Sequence, residues 1–164
     1  MRSPLIRPLL LALATASCVQ PARLVRSDAE RVLATTTIDA PNPAEPGAYQ
    51  VGYFTYGSGT DKRRAAFRDS VTVRTRAVNG TPFLRGIDAK AAKKRWKYWG
   101  FNQAALPVNG RVWYPVGEGS FPLVLIVHGN HSMEEYSDPG YEYLGRHFAS
   151  RGYIAVSVDE NFLN

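Results

Sequence analysis

The stretch Phe121-Pro122-Leu123-Val124-Leu125-Ile126-Val127-His128-Gly129-Asn130 decides the fold. From Leu123 to Val127 each residue is leucine or β-branched, which predicts a parallel strand buried on both faces, and the strand ends abruptly in a His-Gly turn. Open α/β sheets place their chemistry in the loops that leave the carboxyl ends of such strands. Next comes a turn-rich loop from Asn130 to Gly140. A helix is predicted over Tyr141 to Arg151, with Tyr141, Leu144 and Phe148 packed on the sheet and Gly152 as its stop. A second strand, Tyr153 to Val158, then runs into Asp159-Glu160-Asn161. A right-handed crossover makes these two strands parallel neighbours.

Three further strands are predicted upstream. Tyr49 to Tyr56 alternates loosely and ends at Gly57-Ser58-Gly59. Asp69 to Ala77 alternates cleanly, and Arg111 to Pro115 follows the turn Asn109-Gly110. The expected fold class is α/β, with three antiparallel opening strands followed by a parallel strand-helix-strand unit. Asp88 to Gly100 carries Lys90, Lys93, Lys94, Arg95 and Lys97, with Trp96 and Trp99 interleaved. A basic patch for nucleic acid or anionic lipid would use such a pattern. Ala89, Ala92, Trp96 and Trp99 nevertheless fall at helical spacing, so the reading adopted is an amphipathic helix with its lysines in water and no nucleic-acid partner.

His128-Gly129-Asn130, Tyr141-x-x-Leu144-Gly145-x-x-Phe148-Ala149-x-x-Gly152-Tyr153 and Val158-Asp159 together resemble bacterial α/β-hydrolases of the platelet-activating-factor acetylhydrolase, dienelactone hydrolase and polyester-cutinase kind. The resemblance spans roughly residues 48 to 164 and is sharp from about 107 onward. It implies a serine esterase that needs no cofactor, in which the loop after the third strand supplies an oxyanion-hole N–H. Carried onto this chain, that donor is the amide of Asn130, with His128 and Gly129 shaping the turn. A glycine here leaves room for close approach to a substrate oxygen. The resemblance also requires a serine within Gly-x-Ser-x-Gly, and none is present: Ser58, Ser120 and Ser132 have neither flanking glycine, and Ser150 has Phe148 before it and only Gly152 after it. The expected nucleophile, acid and catalytic histidine all follow the position matching Asn164, so the chain reads as the amino-terminal part of an incomplete hydrolase sheet, inactive alone.

The 164 residues, 45% of them apolar, allow one domain at most. Arg2 and Arg7, then Leu9 to Ala14, then Thr15-Ala16-Ser17 form a signal peptide over residues 1–17 that is too short to span a bilayer. Cys18, the lone cysteine, follows the small residues as a bacterial lipoprotein acceptor would, and ordinary cleavage without lipidation is the alternative. Residues 18–46, with Pro21, Pro41, Pro43 and Pro46, read as a flexible tether ahead of the domain at 47–164. The expected location is the cell envelope, with a membrane partner through the lipid on Cys18. From Cys18 onward 18 basic residues face 14 acids, a modest +4.

His128 and His131, with Glu134, Glu135 and Asp138 near them, invite a metal reading. Zinc sites need three or four ligands converging from defined elements, and this loop enforces no such geometry, so no metal is expected. Asp159 is a substrate contact, a hydrogen-bonding support at the top of the sheet, or a cap for the next turn. Three functions remain: an exported carboxylic-ester hydrolase acting on small-molecule or lipid esters, a non-catalytic envelope lipoprotein on a hydrolase scaffold, or a metal-dependent hydrolase. Self-association of the truncated sheet through the unpaired side of Leu123 to Val127 is expected.

Overall fold

The computed structural model describes residues 39–164, and the compact unit runs from Pro41 to Asn164. The expected signal peptide, Cys18 and most of the expected tether lie outside the described residues. Five strands form one mixed sheet: β1 (Val51–Gly57), β2 (Val73–Arg74), β3 (Gly110–Pro115), β4 (Leu123–Ile126) and β5 (Ile154–Val158), in the order β2-β1-β3-β5-β4. Among the described residues two α-helices accompany them, α1 (Ala89–Trp99) and α2 (Glu142–Ser150). The architecture is therefore mixed α/β.

The β4-α2-β5 unit has the expected form. Leu123 to Ile126 pair in parallel with Ile154 to Ser157, residue for residue. α2 packs on the sheet through its smallest side chains: Gly145, Ala149 and Ser150 are buried, whereas Tyr141, Leu144 and Phe148 are only half-buried. The reason is Trp113 of β3. Any Cβ at Gly145 would sit 2.2 Å from the Trp113 ring, so the helix lies flat against the indole where a larger side chain would hold it off.

Three expectations need correction. β1 and β3 are antiparallel, but β2 is parallel to β1 and only two residues long, because Tyr56 and Gly57 are its only partners there. Beyond it, the Thr75 hydroxyl donates to the Val108 carbonyl and takes the chain off the sheet. Second, β4 is not buried on both faces. Val124 pairs with Ala155, which pairs with Trp113, so Val124 and Ile126 share the face that α2 covers. Leu123, Leu125 and Val127 turn to the opposite side and are 58%, 59% and 57% exposed. Among the described residues no second helix packs there, and β4 is the sheet edge.

Third, α1 is rotated from its expected seating. Asp88 caps it by accepting the Ala91 N–H at 2.7 Å, and Gly100 closes it at φ 84° in the left-handed region. Its inner face is Ala91, Ala92, Arg95, Tyr98 and Trp99, while Ala89 and Trp96 face outward. Arg95 fixes that rotation by donating from Nε to the Phe162 carbonyl and from Nη2 to the Asn164 carbonyl. Trp99 anchors an aromatic cluster with Met133 and Phe162, backed by Phe101 and Tyr136. The start of the unit is held by the end of α2. Arg151 donates to the carbonyls of Asn42, Pro43 and Glu45, and the Gly47 N–H donates to Ser150 Oγ at 2.8 Å, 103 positions away.

Candidate functional site

The carboxyl ends of β4 and β5 carry the candidate residues. His128 stands two residues after the end of β4 and is buried. Its Nδ1 lies 2.9 Å from the Gly129 carbonyl, which can only accept, so Nδ1 carries the proton and Nε2 is an acceptor. Nε2 is buried without a hydrogen-bond partner among the described residues. Leaving such an acceptor unpaired costs about 1–3 kcal/mol, and five other buried side-chain atoms, Trp113 Nε1 and Asp138 Oδ1 among them, share that condition among the described residues. Gly129 and Asn130 are exposed, and among the described residues the Asn130 amide makes no hydrogen bond to the chain. A Cβ at Gly129 would meet nothing within 4 Å, so any room it preserves is for a group outside the chain.

His131 stacks obliquely on His128, with ring centroids 4.6 Å apart. Its Nδ1 donates to the Ser132 carbonyl at 2.9 Å, leaving Nε2 to accept the Ser137 hydroxyl at 2.9 Å. This serine-histidine contact was not legible in the sequence, where the five intervening residues read only as loop. Among the described residues no three His, Cys, Asp or Glu side chains converge to hold a cation, so the two-histidine loop finds no third ligand there.

Beneath the turn lies a buried ionic network that sequence reasoning also missed. Arg64 Nη1 and Nη2 donate to the two carboxylate oxygens of Asp159, at 2.6 and 2.5 Å. Nε and Nη2 of the same guanidinium donate to Asp61 Oδ2 at 3.0 and 2.7 Å. Arg111 Nε donates to Asp138 Oδ2 at 2.6 Å. The Arg64 plane also lies near the rings of Phe67, Trp99 and Tyr136, at 4.7, 5.0 and 5.3 Å.

Burial alone would raise the Asp159 carboxyl, but hydrogen bonds and charge from Arg64, then Asn161 and Asn109, outweigh it and hold it below the ordinary carboxylate value. Burial likewise would lower Arg64, and Asp159 and Asp61 reverse the sign. The Tyr136 phenol is pushed well above its ordinary value by burial and by its hydrogen bond with Tyr98. All hydrogen-bonding positions of Asp159 are thus spent internally, which makes it a support at the top of the sheet and a cap for Asn161. Its neighbour Glu160 is half-buried and lines a solvent-open cleft of about 380 Å³ walled by Trp99, Phe101, Leu106 and Phe162.

Compared with known protein families, with curated proteins and with solved structures, the chain matches none. The hydrolase resemblance therefore rests on the motif residues alone. No helix among the described residues is long and apolar enough to cross a membrane.

Proposed function

We propose that this chain carries the oxyanion-binding half of an exported carboxylic-ester hydrolase of the α/β-hydrolase kind. The observation that supports this reading is the parallel β4-α2-β5 unit with a His128-Gly129-Asn130 turn at the carboxyl end of β4, whose Asn130 amide and His128 Nε2 are both unspent. The Asn130 N–H is the proposed donor to a tetrahedral oxyanion, and His128 and Gly129 shape the turn that presents it. One such donor is worth about 2.7–4 kcal/mol of barrier. Attack requires a serine in a Gly-x-Ser-x-Gly elbow, which the sequence does not contain. Export follows from residues 1–17, and Cys18 is the proposed lipid-acceptor site.

The second reading is a non-catalytic envelope lipoprotein on a hydrolase scaffold. Reading the gene beyond the codon for Asn164 separates the two. A continuing frame with Gly-x-Ser-x-Gly supports the enzyme, and a native stop supports the scaffold. The purified chain is expected to leave short para-nitrophenyl esters unhydrolysed. Activity that survives repurification and is lost in Ser132→Ala, Ser137→Ala or Ser150→Ala would overturn the assignment of the nucleophile to another segment. Mass spectrometry of the mature amino terminus tests the anchor: a diacylglyceryl group on Cys18 is expected, and a free Cys18 removes it.

A further inference from the structure

Charge is unevenly distributed along the folded unit. Between Ser70 and Gly117 nine arginines and lysines face a single acid, Asp88, a net of +8. From Glu118 to Asn164 seven acids face two arginines, a net of −5. Much of the positive excess is concentrated on α1. Lys90, Lys93, Lys94 and Lys97 are all exposed, and among the described residues none of them forms an ion pair. At 100° per residue, Lys90, Lys93 and Lys97 fall within an arc of about 60° at the crown of the outward face. Trp96 borders that crown and is 55% exposed, although the amphipathic pattern would have buried it. Phe83, five residues before the capping Asp88, is 84% exposed.

We propose that the outward face of α1, formed by Lys90, Lys93, Lys94, Lys97 and Trp96, docks the folded unit onto an anionic phospholipid surface. This contact is made by the domain itself and does not rest on lipidation of Cys18 or on the hydrolase reading. Lysines with no carboxylate within reach complement a surface of phosphate head groups, and their long stems let an aromatic neighbour approach the acyl boundary while the ammonium groups stay wet. Tryptophan is the side chain that settles at that boundary, with an apolar body and one N–H to spend. Lipid is favoured over nucleic acid by the choice of cation. The single arginine of α1, Arg95, turns inward to the Phe162 and Asn164 carbonyls, so the exposed face offers point charges and none of the planar forks that read phosphates and bases.

The test uses the full-length chain with vesicles of phosphatidylcholine alone or doped with phosphatidylglycerol. Of the three tryptophans, Trp99 and Trp113 are 2% and 1% exposed, so a blue shift of emission on adding vesicles reports on Trp96. The shift is expected with phosphatidylglycerol, weaker with phosphatidylcholine, and lost as salt shortens the screening length from about 10 Å at 0.1 M to about 3 Å at 1 M. Each lysine close to an anionic surface adds roughly fivefold to partitioning. The triple variant Lys90→Glu/Lys93→Glu/Lys97→Glu should therefore lose at least about tenfold, and the glutamine triple variant should fall between it and the parent. Trp96→Ala, followed by co-sedimentation with the vesicles, should weaken binding at low salt. Equal binding by parent and glutamate variant would overturn the proposal by assigning attachment to the apolar leader. So would a single-stranded oligonucleotide that binds the lysine face more tightly than the vesicles do.

Discussion

Arg64 and Asp159 meet in a two-pronged ion pair at the carboxyl end of β5, with the arginine 6% exposed and supplied from a turn 95 positions earlier. The same guanidinium reaches Asp61 and, at 3.8 Å, Asp138. Removing Arg64 strands carboxylates in a place water does not reach, and removing Asp159 deprives the guanidinium of its two-pronged partner. Asp159→Asn should lower unfolding free energy by about 3–5 kcal/mol, and Arg64→Leu by at least as much because it leaves both aspartates uncompensated. Urea titration followed by far-ultraviolet circular dichroism measures both, and a loss below about 1 kcal/mol would mean that the pair is solvated.

The same pair sets an acid limit. Asp159 in the folded chain titrates below its unfolded value of about 3.9, so its contribution is complete above that value and drains away as pH falls through the lower folded one. The urea midpoint should be insensitive to this group from pH 7 to pH 5 and decline below about pH 4. Asp159→Asn should flatten that decline while lowering the plateau. An identical acid slope in parent and variant would place the sensitivity elsewhere.

Gly145 is expected to tolerate nothing larger. A Cβ there lies 2.2 Å from Trp113, so Gly145→Leu must lift α2 from the sheet and should cost at least about 1–3 kcal/mol. Near-ultraviolet circular dichroism, which senses the packing of Trp113, should lose amplitude in the variant before far-ultraviolet signal is lost.

The free edge of the sheet should make the chain associate. Among the described residues the outer side of β4 has no partner strand, with no charge from Phe121 to Val127 and leucines exposed on one face, blunted only by Pro122 before its start. Sedimentation velocity should show the purified chain heavier than a monomer. Leu125→Lys, at a position already 59% exposed, should restore the monomer with little loss of stability.

Sequence legibility followed the range of the interactions involved. The β4-α2-β5 unit was legible because an apolar run, a helical period and Gly152 are local signals. The ionic network was not, since Lys62-Arg63-Arg64 looks like a solvated charge run and only the fold brings its third member to Asp159. The seating of α1 failed for a related reason. An amphipathic pattern with Trp96 and Trp99 three apart permits two rotations, and hydrogen bonds from Arg95 to carbonyls near Asn164 select the one that exposes Trp96. The Ser137 contact with His131 escaped notice because loop residues carry no periodicity from which side-chain proximity could be read.

The hydrogen bond from Gly47 to Ser150 has a consequence for synthesis. β1 has no antiparallel partner until Gly110–Pro115 has been made, and the segment before it has no anchor until Ser150 and Arg151 follow. A ribosome adding about 5–20 residues per second needs roughly 5–20 s to cover the 103 positions between Gly47 and Ser150. During that interval the segment before β1 waits without its anchor, and β1 waits without β3 for the first part of it. A translocation channel that threads extended polypeptide would meet little folded resistance, and a chaperone that shields Tyr49 to Tyr56 during the wait would have the most to protect.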